Sequence, residues 1–260
     1  MLLFTLGYGD KVKKKILKII LFILIILILI LISFLVKDIY QINISFKEKT
    51  IIKHKDIIKE IKEEQINYEE KLNKLKQQYN NNDIVGVLTI ENTSFNELVV
   101  QYTDNDYYLE HNIYHKSNWR GQTFLDYRVD INNSRKLIIY GHNSPNYSLP
   151  FEIFENYYDS NYIKEHRYLY LQTDKELKVY EIFSVYIEVS DWSYYNKVKF
   201  VNDDSYYEHI LKLKNNSFYD TGIDINKDDE ILIIQTCSTH KEYDNYSNKF
   251  LLVIGKRVEI

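Results

Sequence analysis

A single cysteine lies where a nucleophile would be useful. Cys237 is the only thiol among 260 residues, so it has no partner for an internal disulfide. It follows the apolar run 231–234 (ILII), which is typical of a buried strand, and precedes the polar stretch 238–241 (STHK). The thiol is therefore expected where a core strand reaches the edge of the fold. That position suits a nucleophile, although the pattern alone is equally compatible with a spectator thiol.

A nucleophilic cysteine needs a base or an ion-pair partner, because the thiolate is the reactive species. His142 fits best among the 7 histidines. It follows the strand-like run 136–140 (KLIIY) and Gly141, and it begins a polar loop, so it is also expected at the end of a strand. His240 is nearer to the cysteine in sequence but falls in a hydrophilic loop. We therefore predict Cys237 and His142 as the catalytic pair.

Two stretches resemble metal sites only superficially. His111 and His115 have the spacing of a zinc pair but lack the glutamate of an HExxH motif. The stretch beginning at Asp224 opens like a calcium loop, but Asp229 occupies the glycine position and Gln235 the position of the bidentate glutamate. The sequence thus predicts neither a metal site nor a cofactor.

The elements that would position this pair follow a membrane anchor. Residues 16–36 form an apolar stretch of about 21 positions, about 31 Å as a helix, which matches the hydrocarbon core of a bilayer. A cleaved signal peptide would be shorter and would end in small residues, which are missing here. Four lysines precede the span closely and a fifth, Lys18, lies at its start, so the N-terminus is expected in the cytoplasm and the remainder outside the cell. The overall charge of -4 disfavours a nucleic-acid partner.

The pattern divides the chain into a basic tail (1–15), a signal anchor (16–36), a juxtamembrane helical region (37–83) and a catalytic domain (84–260). Isoleucines at helical spacing within 47–80 predict a helix that acts as a stalk or packs on the domain behind it. A coiled-coil dimer fits the pattern less well, because three to four clean heptads are not visible. The domain is mainly β with helical insertions, and its strands suggest a barrel or a sandwich. The clearest insertion is a helix over 203–215, capped by Asp203 or Asp204. The predicted strands are Val85–Ile90, Leu98–Tyr102, Thr123–Tyr127, Lys136–Tyr140, Arg167–Gln172, Leu177–Val189, Ile231–Thr236 and Phe250–Val258.

The order of the motifs resembles the sortase family, and most closely class B. Gly141-His142-Asn143 follows an aliphatic strand, and Thr236-Cys237 ends another strand about 95 residues later. The stretches 86–112, 121–128 (GQTFLDYR) and 136–143 (KLIIYGHN) add to the resemblance, which covers roughly residues 84–260. It implies a closed β-barrel of about eight strands and a membrane-anchored cysteine transpeptidase.

The resemblance also assigns roles. Cys237 would cleave the C-terminal sorting signal of a secreted protein after Thr, and the thioacyl enzyme would pass it to an amino group of peptidoglycan or its lipid-linked precursor in a Gram-positive cell wall. His142 would transfer protons. Thr236, Gln235, Asn143 and Ser238 would help to bind the substrate, although the pattern is equally compatible with Thr236 as a core residue of its strand.

One departure from the family concerns the cation at the oxyanion. Sortases carry an arginine at the start of the strand after the cysteine loop, whereas this chain has Lys249 there. Lysine keeps the charge but loses the two-pronged donor geometry of a guanidinium. The sequence therefore predicts Lys249 as the third catalytic residue of a working or slow enzyme, with Arg120, Arg128 and Arg135 as alternative cations. A catalytically impaired peptide-binding module and a pilin-polymerising sortase remain the competing functions.

Overall fold

The structure of the chain is a computed structural model that describes residues 67–189 and 192–259, and also Ile32, Val36 and Lys37, which are helical. By internal contacts the chain divides into two compact units, 1–64 and 65–260. Apart from those three residues, the tail, the anchor and the predicted helical region up to residue 66 lie outside the described residues. In the part that is described, no helix has both the length and the apolar character needed to cross a bilayer.

Eight strands and three α-helices make up the described part of the second unit. All eight predicted strands are present, although several of them begin or end a few residues from the predicted positions. The helices are α1 (Tyr68–Tyr79), α2 (Trp192–Tyr195) and α3 (Asp203–Asn215). The strands are β1 (Ile84–Ile90), β2 (Asn96–Val100), β3 (Phe124–Leu125), β4 (Lys136–Tyr140), β5 (Tyr168–Gln172), β6 (Leu177–Glu188), β7 (Ile231–Cys237) and β8 (Phe250–Val258).

The strands form a closed barrel, which confirms the fold predicted from the resemblance. Their order around the barrel is β1-β2-β3-β4-β7-β8-β6-β5, and β5 pairs with β1 to close it. The pairs β2–β3 and β4–β7 are parallel, and the other pairs are antiparallel. Closure leaves no open edge in this sheet of described strands, and it places β4 and β7 side by side.

The apolar runs in β4 and β7 reflect burial on both faces of the sheet. Leu137 and Leu232 lie in the barrel core. Ile138 and Ile233 lie in a second cluster outside the barrel, together with Ile210 of α3. A strand covered on both faces shows a continuous apolar run instead of alternation, which explains the ILII sequence before Cys237.

Helix α3 begins at the predicted residue, but its cap differs from the prediction. The side chain of Asn202 accepts a hydrogen bond from the backbone of Ser205, which bonds back in a capping box. Asp203 and Asp204 lie inside the first turn, where their charges favour the helix dipole. The predicted cap at Asp203 or Asp204 is therefore wrong by one or two residues, because the Asn and Ser spacing satisfies two backbone groups at once.

Helix α1 packs on the same unit as the barrel. Its one fully buried side chain, Leu72, is 2% exposed and lies in a cluster with Val100, Tyr108 and Phe124. Asn81, just after the helix, is also buried and donates to the Tyr108 hydroxyl at 3.0 Å. The helix thus packs behind the segment 107–109, which lies next to the site described below.

Candidate active site

The two predicted catalytic residues lie at the ends of neighbouring parallel strands. Tyr140 at the end of β4 pairs with Gln235 in β7, and the Gly141 amide donates to the Gln235 carbonyl oxygen at 3.2 Å. Because β4 and β7 run in the same direction, His142 and Cys237 lie at the same end of the barrel. Both residues line one cavity of about 450 Å³. The structure therefore brings the predicted imidazole and thiol to a common site.

The cavity has mostly apolar and aromatic walls with a few polar groups, as ligand sites commonly do. One wall comes from the segment 105–109 and another from α2. The other residues that line it are Asn105, Asp106, Leu109, Phe124, Tyr127, Arg128, Tyr140, Gly141, Tyr195, Asn196, Gln235 and Phe250. Its volume and apolar lining suit a peptide segment.

Cys237 presents a free thiol at the last position of β7. The residue as a whole is exposed, but it lies at the cavity wall near Phe250, its cross-strand partner in β8. Partial burial raises the pKa of the Cys237 thiol above its ordinary value. The thiol is therefore mostly protonated at neutral pH, so the attack on a substrate must include removal of its proton.

The orientation of His142 follows from one hydrogen bond. Its Nε2 lies 3.0 Å from the carbonyl oxygen of Leu109. Because a carbonyl oxygen only accepts, Nε2 carries the proton and donates, which leaves Nδ1 of the neutral ring free to accept a proton. In that tautomer, Nδ1 is the ring nitrogen with an available lone pair.

Two glycines allow close packing around the segment that carries this imidazole. At Gly141, an added Cβ would lie 2.4 Å from the Phe151 ring. Gly121 has a φ of +61°, and an added Cβ there would lie 2.5 Å from the Tyr108 carbonyl oxygen and 2.9 Å from Cδ2 of His142. A side chain at Gly141 would collide with the Phe151 ring. A side chain at Gly121 would collide with the backbone of residues 108–109 and with the His142 ring.

The four predicted substrate-binding residues divide into two groups. Gln235 lines the cavity two positions before Cys237, on the same face of β7. Thr236, Asn143 and Ser238 are buried and are not part of the cavity lining. Thr236 donates to the Gly141 carbonyl oxygen at 2.7 Å, and the Ser238 hydroxyl lies 3.1 Å from the Tyr158 hydroxyl. Their predicted contact with substrate stays a prediction.

Lys249 is adjacent to the site in sequence but does not line the cavity. Its Nζ contacts Oδ1 of Asp244 at 2.5 Å, and its backbone carbonyl oxygen accepts from the Ser238 amide at 2.9 Å. Its neighbour Phe250, the first residue of β8, lines the cavity, whereas Lys249 precedes the strand and is not among the lining residues. The predicted oxyanion cation is therefore bound elsewhere in this state, and its catalytic role stays a prediction.

Backbone donors after the cysteine are also occupied. The Thr239 amide donates to Oε1 of Glu155 at 2.6 Å, and the His240 amide donates to Oγ of Ser238 at 3.1 Å. With the Ser238 amide bound to Lys249, the three N–H groups that follow Cys237 all have internal acceptors. A substrate carbonyl oxygen that becomes negative when the thiol attacks must be stabilised by other donors, or one of these N–H groups must give up its internal acceptor.

Arg128 contributes a guanidinium to the cavity lining. Its Nε and Nη2 donate to the two carboxylate oxygens of Asp126 at 2.8 and 2.6 Å, and Nη2 also donates to the Asn196 carbonyl oxygen at 2.9 Å. The fully buried Asp126 accepts a further bond from the Tyr140 hydroxyl at 2.8 Å. Burial raises the pKa of Asp126, but the bonds from Arg128 and Tyr140 outweigh it and leave that pKa below its usual value.

The sequence pattern did not predict this network, although the LDYR run (125–128) contains Asp126 and Arg128. Asp126 and Arg128 are two residues apart in the turn after β3, where the Arg128 amide also donates to Oδ1 of Asp126 at 2.9 Å. Tyr140 is the last strand residue before Gly141 and His142, so its position at the site could have been inferred from the histidine motif.

The wall formed by α2 is held by a buried lysine. Lys136 at the start of β4 is 2% exposed, and its Nζ donates to the backbone carbonyl oxygens of Tyr195 and, at 2.7 Å, Lys197. Burial lowers the pKa of the neighbouring His209 to about 2, so its ring is neutral, and its Nε2 lies 2.8 Å from the lysine. These bonds fix the backbone that carries Tyr195 into the cavity.

The histidine pair considered for zinc has other partners. Nδ1 of His111 lies 2.8 Å from the Tyr107 carbonyl oxygen, and Nδ1 of His115 lies 3.2 Å from the Tyr107 hydroxyl. Within residues 67–189 and 192–259, no group of three or more His, Cys, Asp or Glu side chains is placed to hold a metal ion.

The chain thus combines a closed eight-stranded barrel with a cysteine and a histidine at adjacent strand ends. The Sortase domain family model matches residues 88–258. The chain belongs to the sortase family.

Its relatives confirm the predicted resemblance to class B. Sortase B of Listeria monocytogenes is 30% identical over 166 residues, which cover 63% of this chain and 66% of that protein, slightly less than two thirds. The crystal structure of Clostridium perfringens sortase B is 30% identical, with a TM-score of 0.65 over 72% of this chain and 100% of the other. A Staphylococcus aureus sortase B–substrate complex has a TM-score of 0.67 at 23% identity, over 77% and 90% of the chains, and shows the shared fold alone.

Proposed function

We propose that this chain is a cysteine transpeptidase that cleaves the C-terminal sorting signal of secreted proteins after Thr and joins them to a cell-wall amino group. The observation that carries the proposal is the meeting of Cys237 and His142 in one peptide-sized cavity, in a chain of the sortase family. Cys237 is the last residue of β7 and His142 lies two residues beyond the end of β4, so the backbone pairing of those strands supports their approach.

The reaction follows from the protonation states at the site. The sulfur of Cys237 attacks the Thr carbonyl carbon while its proton passes to Nδ1 of His142. The resulting imidazolium protonates the leaving amine as the C–N bond breaks, which gives a thioester. An incoming amine then attacks the thioester carbon, its proton passes to His142, and the thiol is restored as the new amide forms.

The negative oxygen of each tetrahedral intermediate needs donors. We assign Lys249 to this role, which requires its ammonium to leave Asp244 when the substrate binds. Arg128 and the side-chain amide of Gln235 already line the cavity and are the alternative donors. An exchange of partners by Lys249 would slow the chemical step in comparison with a preorganised arginine.

The acceptor is an amine of peptidoglycan or of its lipid-linked precursor. A sortase B has been crystallised in complex with triglycine, a short peptide with a free amine, and that complex supports this class of acceptor. Membrane attachment through 16–36, with the N-terminus in the cytoplasm and the barrel outside, would raise the concentration of the enzyme where both substrates arrive. The lysines before that span support this topology.

One observation favours a second function. If Lys249 stays bound to Asp244, the site holds a peptide without efficient acyl transfer and acts as an impaired, membrane-anchored binding module. A pilin-polymerising sortase would differ only in its acceptor, a lysine side chain on another protein.

Mass spectrometry of the full-length chain in detergent micelles tests these functions. The protein is incubated with a library of sorting-signal peptides, and Cys237 is examined for a thioester adduct. A triglycine nucleophile and a lysine-bearing peptide are then added in separate reactions. Transpeptidation predicts an adduct and an amide-linked product with triglycine. Peptide binding without any adduct would establish the binding module, and a product with only the lysine peptide would establish the pilin-type acceptor.

A further inference from the structure

One carboxylate joins the loop that contains His142, after β4, to the loop that follows Cys237. Oε1 of Glu155 accepts a hydrogen bond from Nδ2 of Asn143 at 3.0 Å and from the Thr239 amide at 2.6 Å. Asn143 is the residue after His142, and Thr239 is the second residue after Cys237. Glu155 belongs to neither loop, because it lies in the 3-10 helix Pro150–Tyr158. A third element of the fold thus binds both sides of the catalytic pair.

Asn143 completes the connection. Its Nδ2 also donates to the backbone carbonyl oxygen of Cys237 at 3.1 Å, and its Oδ1 accepts from the Ser144 amide at 2.8 Å. Both amide hydrogens and the amide oxygen are therefore used within the protein. The residue is 8% exposed, so its side chain has little freedom to turn toward a substrate.

The remainder of the helix shows why the carboxylate stays in place. Phe151 and Phe154 of the same helix are 1% and 0% exposed and lie in the barrel core. Phe151 also lies against Gly141, the residue before His142. The helix is therefore anchored by apolar packing, and it presents Glu155 to the two loops.

We infer that Glu155 and Asn143 are positioning residues that set the imidazole of His142 against the thiol of Cys237. This inference rests on the proposed function, since it assigns a task to residues around the same pair. It also gives Asn143 a task other than substrate contact. The two residues act through the backbone of their neighbours and touch neither the substrate nor the reacting atoms.

Alkylation of the single cysteine by iodoacetamide tests the inference without any peptide substrate. Because Cys237 is the only thiol, the rate of mass increase of the full-length protein in detergent reports on that residue alone. His142 accelerates the reaction by accepting the thiol proton as the sulfur attacks. Failure to find a peptide adduct would refute the proposed function but leave this measurement intact.

The variants are E155A, E155Q, H142A and the double variant E155A/H142A, measured at pH 7.5. E155A removes the acceptor, so we expect alkylation to slow about three- to tenfold, because small displacements of a reacting group are costly. E155Q keeps an acceptor oxygen and should stay within about twofold of the unmodified chain. In the H142A background, E155A should have no further effect, which is the signature of two residues that act as a unit.

The control is E152A, which removes an exposed carboxylate from the same helix and should leave the rate unchanged. A merely structural role for Glu155 predicts a different result. A loosened loop would expose the thiol to water and speed alkylation, with or without His142. That outcome, or a rate for E155A equal to that of the unmodified chain, would overturn the inference.

N143A provides a second route if E155A does not fold, as judged by circular dichroism. It removes the bonds to Glu155 and to the Cys237 carbonyl oxygen and should slow alkylation at least as much as E155A. With an active peptide substrate, both variants should lower kcat and leave KM within about twofold, because positioning acts on the chemical step. A raised KM with unchanged kcat would return Asn143 to substrate binding and overturn the inference.

Discussion

The hydroxyl of Thr236 donates to the carbonyl oxygen of Gly141 at 2.7 Å. Thr236 immediately precedes Cys237, and Gly141 immediately precedes His142. The bond therefore joins the two chain segments directly before the thiol and the imidazole. Thr236 is 1% exposed, and the backbone pairing of β4 with β7 ends one residue earlier, at Tyr140 and Gln235. The cross-strand bond thus extends the sheet into the active site.

Removing this hydroxyl should weaken both the fold and the site. We expect T236V to lower the free energy of unfolding by about 1–3 kcal/mol, because the Gly141 carbonyl oxygen would be left without this partner. Urea denaturation measures the change. T236S keeps the hydroxyl and should lose less, so equal losses in T236V and T236S would show that the hydroxyl is not the cause.

Substitutions of the two proposed catalytic residues should cause different kinds of defect. C237A removes the nucleophile and should abolish the thioester adduct. H142Q removes the proton carrier and should lower kcat about 10²–10⁴-fold while the adduct still forms slowly. Intact-mass kinetics with a reactive sorting peptide measure both. An H142Q variant with full turnover would show that another group moves the proton.

The identity of the residue at position 249 should set the rate of the chemical step. A guanidinium at this position can bind Asp244 and still present a second donor, so we expect K249R to raise kcat about tenfold with little change in KM. D244N, which releases the ammonium, should act in the same direction. If K249A retains full turnover, the oxyanion donor is a different group, with Arg128 the next residue to substitute.

The Asp126–Arg128 pair predicts a loss of stability in acid. The pKa of Asp126 is lowered in the folded protein, so its contribution is present above the unfolded-state pKa of about 3.8 and is lost as the pH falls through the lower folded value. D126N should cost about 3 kcal/mol at pH 7, because it leaves Arg128 without its charged partner. It should also flatten the acid dependence of the melting temperature below pH 4. If the melting temperature of D126N fell as steeply below pH 4 as that of the unmodified chain, other carboxylates would be the cause of the acid dependence.

The contact of α1 with the barrel predicts that this helix belongs to the folding unit. L72A should lower the free energy of unfolding by about 2–4 kcal/mol, as expected for a leucine at 2% exposure. L75A, at a partly buried position one turn later, should cost less and is the matched control. Equal small losses in both variants would mean that the helix contributes little to the stability of the barrel.

Local sequence signals were sufficient for the strands and for the expectation that Cys237 and His142 lie at strand ends. The strands were predictable because their apolar runs and the polar clusters between them reflect burial, which acts residue by residue. Helix α3 was predicted with its observed ends for the same reason, and only its cap differed. Cys237 and His142 were identifiable because each follows such a strand.

The arrangement around those residues required the tertiary structure. Whether β4 lies beside β7 depends on the closure of the whole barrel, which no local pattern encodes. Glu155 reaches the site from a 3-10 helix without a motif. Lys249 contacts the carboxylate of Asp244, five residues earlier, a pairing that the sequence pattern did not indicate. The sequence by itself determined which atoms could react, because chemistry belongs to residue types. Tertiary packing decided which of them meet and which hydrogen bonds hold them, because those contacts join residues far apart in the chain.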